Sequence, residues 1–300
     1  MLRAFPKIFA IGTDYIRDIF NEEVEVTEKI DGSQFAFGKV NGELFIRSKG
    51  AQLYVDNPEK MFSQGIEYVQ SIQDELPEGV CFYGEYLKTP KHNTLKYNRI
   101  PNNHIILFGA SSPAGDLFDP EFYKHAAKLN LEVVPRQILK INSPEDLREL
   151  LNKESILGGC NIEGVVVKNY TRQFLLGGQP MPLMAGKFVS EAFKEVHRNR
   201  WGTEEKGSSK WATFCMSFKT EARWAKAVQH LAEIGELDNS PKDIGKLLKE
   251  VNVDIETEEK EAIKEFLWNQ YKREILSSAT GGFPEWYKQQ LVERSFAEDK

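Results

Sequence analysis

Three cysteines in 300 residues, Cys81, Cys160 and Cys215, make an odd set with no close pair. No CxxC occurs and no histidine stands at ligand spacing beside them. This argues against a disulfide framework or a zinc site and for a reducing compartment. Positive charge is also short: 39 Lys and Arg against 45 Asp and Glu leave a net charge of −6. That argues against a generally basic nucleic-acid coat, although a local basic groove depends on distribution, not total. Long apolar runs are missing. The start, MLRAFPKIFAIG, is broken by Pro6 before any apolar core forms. Neither a signal peptide nor a transmembrane segment is read, and a soluble cytoplasmic protein is expected. Low-complexity tracts and internal repeats are absent too. What is present is an ordinary hydrophobic fraction, 41%, enough for a sizeable core. The length suggests two domains.

The first two thirds are rich in strand signals. EVEVTEKI alternates up to Lys29. QFAFGKV and ELFIRS flank Asn41-Gly42, the strongest short hairpin signal. GVCFYGEYL, HIILFGA and IEGVVVK are further strands. A helix is expected from about Glu59 to Glu75, with Phe62, Ile66, Val69 and Ile72 at helical spacing. Two more are expected from Asp119-Pro120 and Ser143-Pro144, where an N-cap residue precedes proline at the first helical position. After about Val196 the pattern turns helical. NRWGTEEKGSS, Asn199 to Ser209, is polar and glycine-containing and reads as a hinge. Ser240-Pro241 opens one later helix. Another puts Ile263, Phe266, Leu267, Tyr271 and Ile275 on one face before Gly281-Gly282 stops it, and a last helix starts at Pro284. The expected fold is α+β over residues 1–197, with a small all-helical domain over 198–300.

One stretch raises a chemical question. In VTEKIDGSQF, Lys29 ends a strand and meets the tight turn Asp31-Gly32-Ser33. A lysine amine is a useful nucleophile only when deprotonated, so its usual pKa must fall by roughly 2–3 units, through burial or nearby cations. Alone, K-x-D-G is more simply a solvated lysine at a hairpin. Glu85, Glu163, Lys168 and Lys187 are, one by one, more simply strand-edge or surface charges, and Phe108 is more simply core.

Together and in this order they form a pattern. EKIDGS, RSKG at Arg47, FYGEYL at Glu85, ILFGA at Phe108, EGVVVK and AGKF resemble the signature elements of the covalent nucleotidyltransferases: ATP-dependent RNA and DNA ligases and mRNA capping enzymes. The early FPKIFAIG, and SEAFKEVH after Lys187, are similar to the RNA ligase 2-like branch. The resemblance covers most of residues 1–195. It implies an adenylation domain of antiparallel sheets with flanking helices. It also implies a lysyl-AMP on Lys29, with Lys187 and Lys168 as catalytic cations. Glu28, Ile30, Asp31, Gly32 and Arg47 would line the nucleotide. Glu85 would accept from ribose, Phe108 would stack on adenine, and Glu163 would hold a metal ion through water. The implied cofactors are ATP and Mg²⁺ or Mn²⁺. The implied partner is RNA with 3′-hydroxyl and 5′-phosphate ends, nicked or duplex, bound by a monomer. One departure stands out: where the family has lysines two apart, Ala185 precedes Lys187, and Lys168 is a candidate substitute.

On this reading the AMP chemistry needs only groups between about Phe5 and Lys187. The helical tail would hold RNA, first through Arg198, Arg200, Lys206 and Lys210 near the hinge. The rivals are an ATP-dependent DNA ligase or a capping-type guanylyltransferase and, in another class, a non-catalytic nucleic-acid-binding protein.

Overall fold

The Asn41-Gly42 turn sets the first hairpin. In the computed structural model of the chain both residues have positive φ, 53° and 78°. This is the geometry that matches the right-handed twist of the flanking strands and favours Asn-Gly. The structure describes residues 2–298 apart from 57, 115–120, 173, 177, 198–199 and 204–206.

That hairpin belongs to a six-stranded sheet, in the order β5 (Gln52–Leu53), β4 (Glu43–Ser48), β3 (Ser33–Val40), β6 (Cys81–Tyr86), β7 (Ile105–Ser111) and β8 (Glu132–Val133). Only the β7–β8 pair is parallel. A five-stranded sheet runs β1 (Phe9–Ala10), β13 (Met184–Val189), β10 (Gly164–Asn169), β2 (Val24–Lys29) and β9 (Arg136–Leu139), antiparallel except at β1–β13. Strands β11 (Phe174–Leu176) and β12 (Gln179–Met181) form a separate ribbon.

Side chains alternate across each strand, so each sheet has one apolar and one mixed face. On the six-stranded sheet, Phe35, Phe37, Ile46, Phe82, Tyr86 and Leu107 are fully buried against helix α1 (Ser63–Ser71) and helix α2 (Phe122–Lys128). Each such aromatic gains about 1.5–3 kcal/mol from burial. On the five-stranded sheet, Val24, Val26, Val165, Val167 and Met184 pack with Phe9, Ile16 and Leu147 of helix α3 (Pro144–Leu150). Ser143 caps α3 as expected: its Oγ accepts from Asp146 N at 3.3 Å, and the Asp146 carboxylate accepts from Ser143 N at 3.2 Å. The expected start of α2 at Asp119-Pro120 lies outside the described residues.

Helices α4 (Lys210–Met216), α5 (Glu221–Glu233), α6 (Ile244–Glu258), α7 (Lys260–Thr280) and α8 (Phe283–Glu298) follow. The architecture is therefore α+β, antiparallel sheets with flanking helices and then a helical region. The chain forms two compact units: residues 1–196 with 219–247, and residues 197–218 with 248–300. They differ from a division at 197/198 in the segment 219–247, which carries α5 and belongs to the first unit. In the second unit Phe266 of α7 stacks on Phe214 at 4.8 Å and meets Trp201 edge-on at 4.9 Å. Tyr271 and Ile275, on the expected apolar face of α7, are exposed. Among the described residues no helix is long and apolar enough to cross a membrane.

Candidate active site

Cross-strand register fixes which groups share a face. On the five-stranded sheet Lys29 lies opposite Gly164, Thr27 opposite Val166 and Val166 opposite Lys187, and Glu25 opposite Lys168, itself opposite Ala185. Lys29, Thr27, Glu25, Lys168 and Lys187 therefore lie on one face, away from the apolar core. On the six-stranded sheet the face opposite the core carries Gln34, Arg47 and Glu85. A cavity between the two is lined by Glu25, Thr27, Phe108, Arg136 and Tyr170 among others. At Tyr83/Gly84 the β6–β7 register shifts, so Phe108 is the extra residue on β7. Such a bulge re-aims a side chain. Leu107 stays in the core while Phe108 turns to this inner side, edge-on to Phe5 at 5.1 Å.

The turn that follows Lys29 is held from several directions. The Asp31 Oδ2 accepts from Thr94 N at 2.8 Å and Leu95 N at 2.7 Å, and Asp31 N donates to Tyr97 Oη at 2.8 Å. A Cβ on Gly32 would come within 2.8 Å of the Tyr86 carbonyl oxygen, so glycine lets the turn lie against the end of β6. The Gly32 carbonyl accepts from Asn93 Nδ2 at 2.9 Å and from Gln229 Nε2 at 3.0 Å. His92 Nδ1 accepts from Lys88 N at 3.0 Å, which leaves Nε2–H to donate to Ser33 Oγ at 2.8 Å. The Ser33 hydroxyl in turn donates to Glu233.

Lys29 Nζ donates to Glu163 Oε2 at 2.7 Å. Burial, the largest single influence, favours the neutral amine, but Glu163, Glu85 and Asp31 together outweigh it and the pKa is raised. The sequence reading expected cations to depress it. The nearest charges are instead carboxylates, and they hold the ammonium form. Burial raises Glu163, and it pushes Glu85 up to about 8 despite Lys29. Glu85 Oε2 is buried with no hydrogen-bond partner among the described residues.

The other expected residues separate into two sets. Lys187 lies near enough to lower Glu163, and its Nζ donates to Glu195 Oε1 at 2.6 Å. Arg47 turns its guanidinium to the carbonyls of Ser48, Leu2 and Lys49. Glu28 faces away from Lys29, its Oε2 accepting from Ile156 N at 2.9 Å, and Ile30 packs in a small core with Leu87 and Tyr97. Lys168 is only 1% exposed; its Nζ donates to Glu25 Oε1 at 3.0 Å and the Phe108 carbonyl at 2.7 Å. Arg198 and Lys206 lie outside the described residues. Arg200 and Lys210 belong to the second unit.

The RNA ligase family profile matches residues 22–180, which include Lys29, Arg47, Glu85, Phe108, Glu163 and Lys168. The chain belongs to the RNA ligase family. No curated protein matches it. Solved structures of Naegleria gruberi RNA ligase resemble it. The enzyme with pyrophosphate is 18% identical over 66% of this chain and 61% of that one, with a TM-score of 0.47. A mutant with AMP and Mn is 16% identical over 64% and 57%, with a TM-score of 0.46. This chain thus spans less than two thirds of those relatives' length.

In this member of the RNA ligase family, α5 brings Lys226, Gln229 and Glu233 to the first unit's site, which sequence reasoning missed. Lys226 Nζ donates to Glu195 Oε2 at 2.7 Å. The available signal was spacing: positions i, i+3 and i+7 form one polar helix face, with Ala227 and Leu231 buried elsewhere on α5.

Proposed function

We propose that the chain is an ATP-dependent RNA ligase that joins 3′-hydroxyl and 5′-phosphate ends through an AMP carried on Lys29. The observation that carries this is the setting of Lys29: at a strand end, paired with Glu163 at 2.7 Å, beside Glu85 and on one face with Lys187. As Lys29 leaves Glu163 it gives up a proton to solvent, a loss that burial favours and that Glu85 and Asp31 oppose. Its Nζ then attacks the α-phosphorus of ATP. The N–P bond forms, the bond to the bridging oxygen breaks, and pyrophosphate leaves with the electron pair. A 5′-phosphate of RNA next displaces Lys29 from AMP. A 3′-hydroxyl finally attacks that activated phosphate, and AMP departs as the strands join. Lys187 neutralises charge developing on the α-phosphate. Phe108 offers its face to the base, and Glu85 its unpartnered oxygen to a ribose hydroxyl.

The donor set fits a divalent ion. Among the described residues no three His, Cys, Asp or Glu side chains form a metal cluster. Mg²⁺ does not need one, because it keeps several waters and takes one or two carboxylates plus substrate phosphates. Glu163 and Glu85 would hold it or its waters, and when bound it would offset phosphate charge. We assign the adenylyl chemistry to the first unit, and RNA holding to the helical region with Arg198, Arg200, Lys206 and Lys210, in a cytoplasmic monomer. The test is labelling with ATP carrying a radioactive α-phosphate. Wild type should label; Lys29→Ala and Lys29→Arg should not, since a guanidinium stays protonated. Equal labelling of Lys29→Ala would reject the assignment. Labelling by GTP alone would favour the capping-type reaction.

A further inference from the structure

We propose that Lys226 of α5 binds the leaving phosphates of the nucleotide and supplies the cation that Ala185 does not. This rests on the ligase reading above. The nearest substitute, Lys168, stands cross-strand from Ala185 on the same face. Its ammonium is buried and committed to Glu25 and the Phe108 carbonyl. Turning it toward a phosphate would take from buried Glu25 its shorter ion pair, at 3.0 Å, and leave it Arg136 at 3.5 Å, which is costly.

Lys226 has a different setting. Its side chain is 28% exposed, like that of Lys187 at 27%, and the two ammonium groups grip opposite oxygens of Glu195 at 2.7 and 2.6 Å. The Glu195 backbone is fixed beneath them, its carbonyl accepting from Thr220 Oγ1 at 3.1 Å and from the buried Arg223 Nε at 3.3 Å. A single carboxylate shared by two lysines occupies the place a phosphate oxygen pair would take. Burial pushes the Glu195 carboxyl up, yet the two lysines hold it well below its usual range, so the position strongly favours an anion.

Order along the cleft assigns the phosphates. Lys29 pairs with Glu163, Glu163 feels Lys187, and Lys187 shares Glu195 with Lys226. The α-phosphorus must lie in bonding reach of Lys29, so Lys187 is next to it and Lys226 lies beyond, toward the phosphates that leave. Helix α5 can hold that position because Gln229 and Glu233, on the same face, are tied to Gly32 and Ser33 of the nucleophile turn. Glu195 acts as the internal anion that the polyphosphate displaces.

The experiment measures AMP labelling of the full chain against ATP concentration, and sealing of RNA that already carries a 5′-adenylyl end and so has no leaving phosphates. Lys226→Ala should raise the ATP needed for half-maximal labelling about 10- to 100-fold, the range for one charge-assisted contact. Lys226→Arg should recover most of it, and sealing of the pre-adenylylated RNA should suffer far less. Glu195→Gln keeps both lysines and removes the competing anion, so it should lower the ATP requirement. This arm decides the matter if Lys226→Ala folds poorly. Unchanged ATP dependence in Lys226→Ala, equal losses in both reactions, or a higher ATP requirement in Glu195→Gln would overturn the proposal while wild-type labelling stands. A wild-type chain that takes no AMP would overturn the ligase reading itself.

Discussion

Replacing Glu25 with glutamine removes one charge from a buried cluster and leaves its volume. Lys168 is 1% exposed and Glu25 7%, with Nζ and Oε1 3.0 Å apart. Breaking a buried pair from one side costs about 3–5 kcal/mol, because the surviving charge is left uncompensated. Glutamine still offers an oxygen to Lys168, so Glu25→Gln should fall at the low end, about 3 kcal/mol. Lys168→Met should cost less, since Glu25 keeps Arg136 at 3.5 Å and Tyr170 at 3.4 Å. The pH dependence has a definite sign. Burial lowers the Lys168 pKa in the folded protein, despite Glu25. Between the folded pKa and the unfolded value the unfolded chain binds more protons, so this group makes stability rise with pH across that window. It penalises folding most as pH falls through the folded pKa. Glu25→Gln removes the main support for the charged form and should extend that rise to lower pH. Urea unfolding of wild type and both variants from pH 7 to 10 reads all of this. A Glu25→Gln cost below about 1 kcal/mol, with the wild-type pH profile, would refute the buried pair. It would return Lys168 to the list of lysines open to phosphate.

Three further outcomes follow from the same geometry. Ser33→Ala and Glu233→Gln each remove one of the links from α5 to the turn after Lys29, leaving Gln229 on the Gly32 carbonyl, and should slow AMP labelling at saturating ATP with modest loss of thermal stability; unchanged rates would make the Ser33–Glu233 link ornamental. Glu85 has a folded pKa raised to about 8, so it costs stability progressively as pH rises from its unfolded value through about 8, a slope that Glu85→Gln should abolish in denaturant titrations. Phe108→Leu should weaken ATP use by a few-fold in half-saturation, matching the roughly 0.5–1.5 kcal/mol of an aromatic stack. A large drop in melting temperature with unchanged ATP dependence would assign Phe108 to the core with Phe5.

What was legible in the chain was local or ordered along it. Asn41-Gly42 specified its hairpin through positive φ, Ser143-Pro144 its helix start through the cap, and the alternation to Lys29 a strand with one polar face. Motif order singled out Lys29, Glu85, Glu163 and Lys187, and the fold sets Lys29 against Glu163 and on one face with Lys187. What was not legible depends on which strands pair. Lys168 reads like Lys187, and only the register placing it between Glu25 and Ala185 buries it. Glu163 reads as a metal ligand, yet its first partner is the Lys29 ammonium itself. The contribution of α5 was hidden by distance: Glu233 meets Ser33 from 200 residues away, and a polar helix face looks solvated until its neighbour is known.

The most direct test of the central claim is a single-turnover chase read by intact mass and peptide mapping. The chain is incubated with ATP and a divalent cation, freed of ATP, digested in part for mapping, and otherwise mixed with nicked RNA. The account predicts a mass gain of one AMP located on Lys29, which disappears as a matching amount of RNA is sealed. An adduct on another residue, no adduct in a chain that still seals RNA, or an adduct on Lys29 that RNA does not discharge would contradict it.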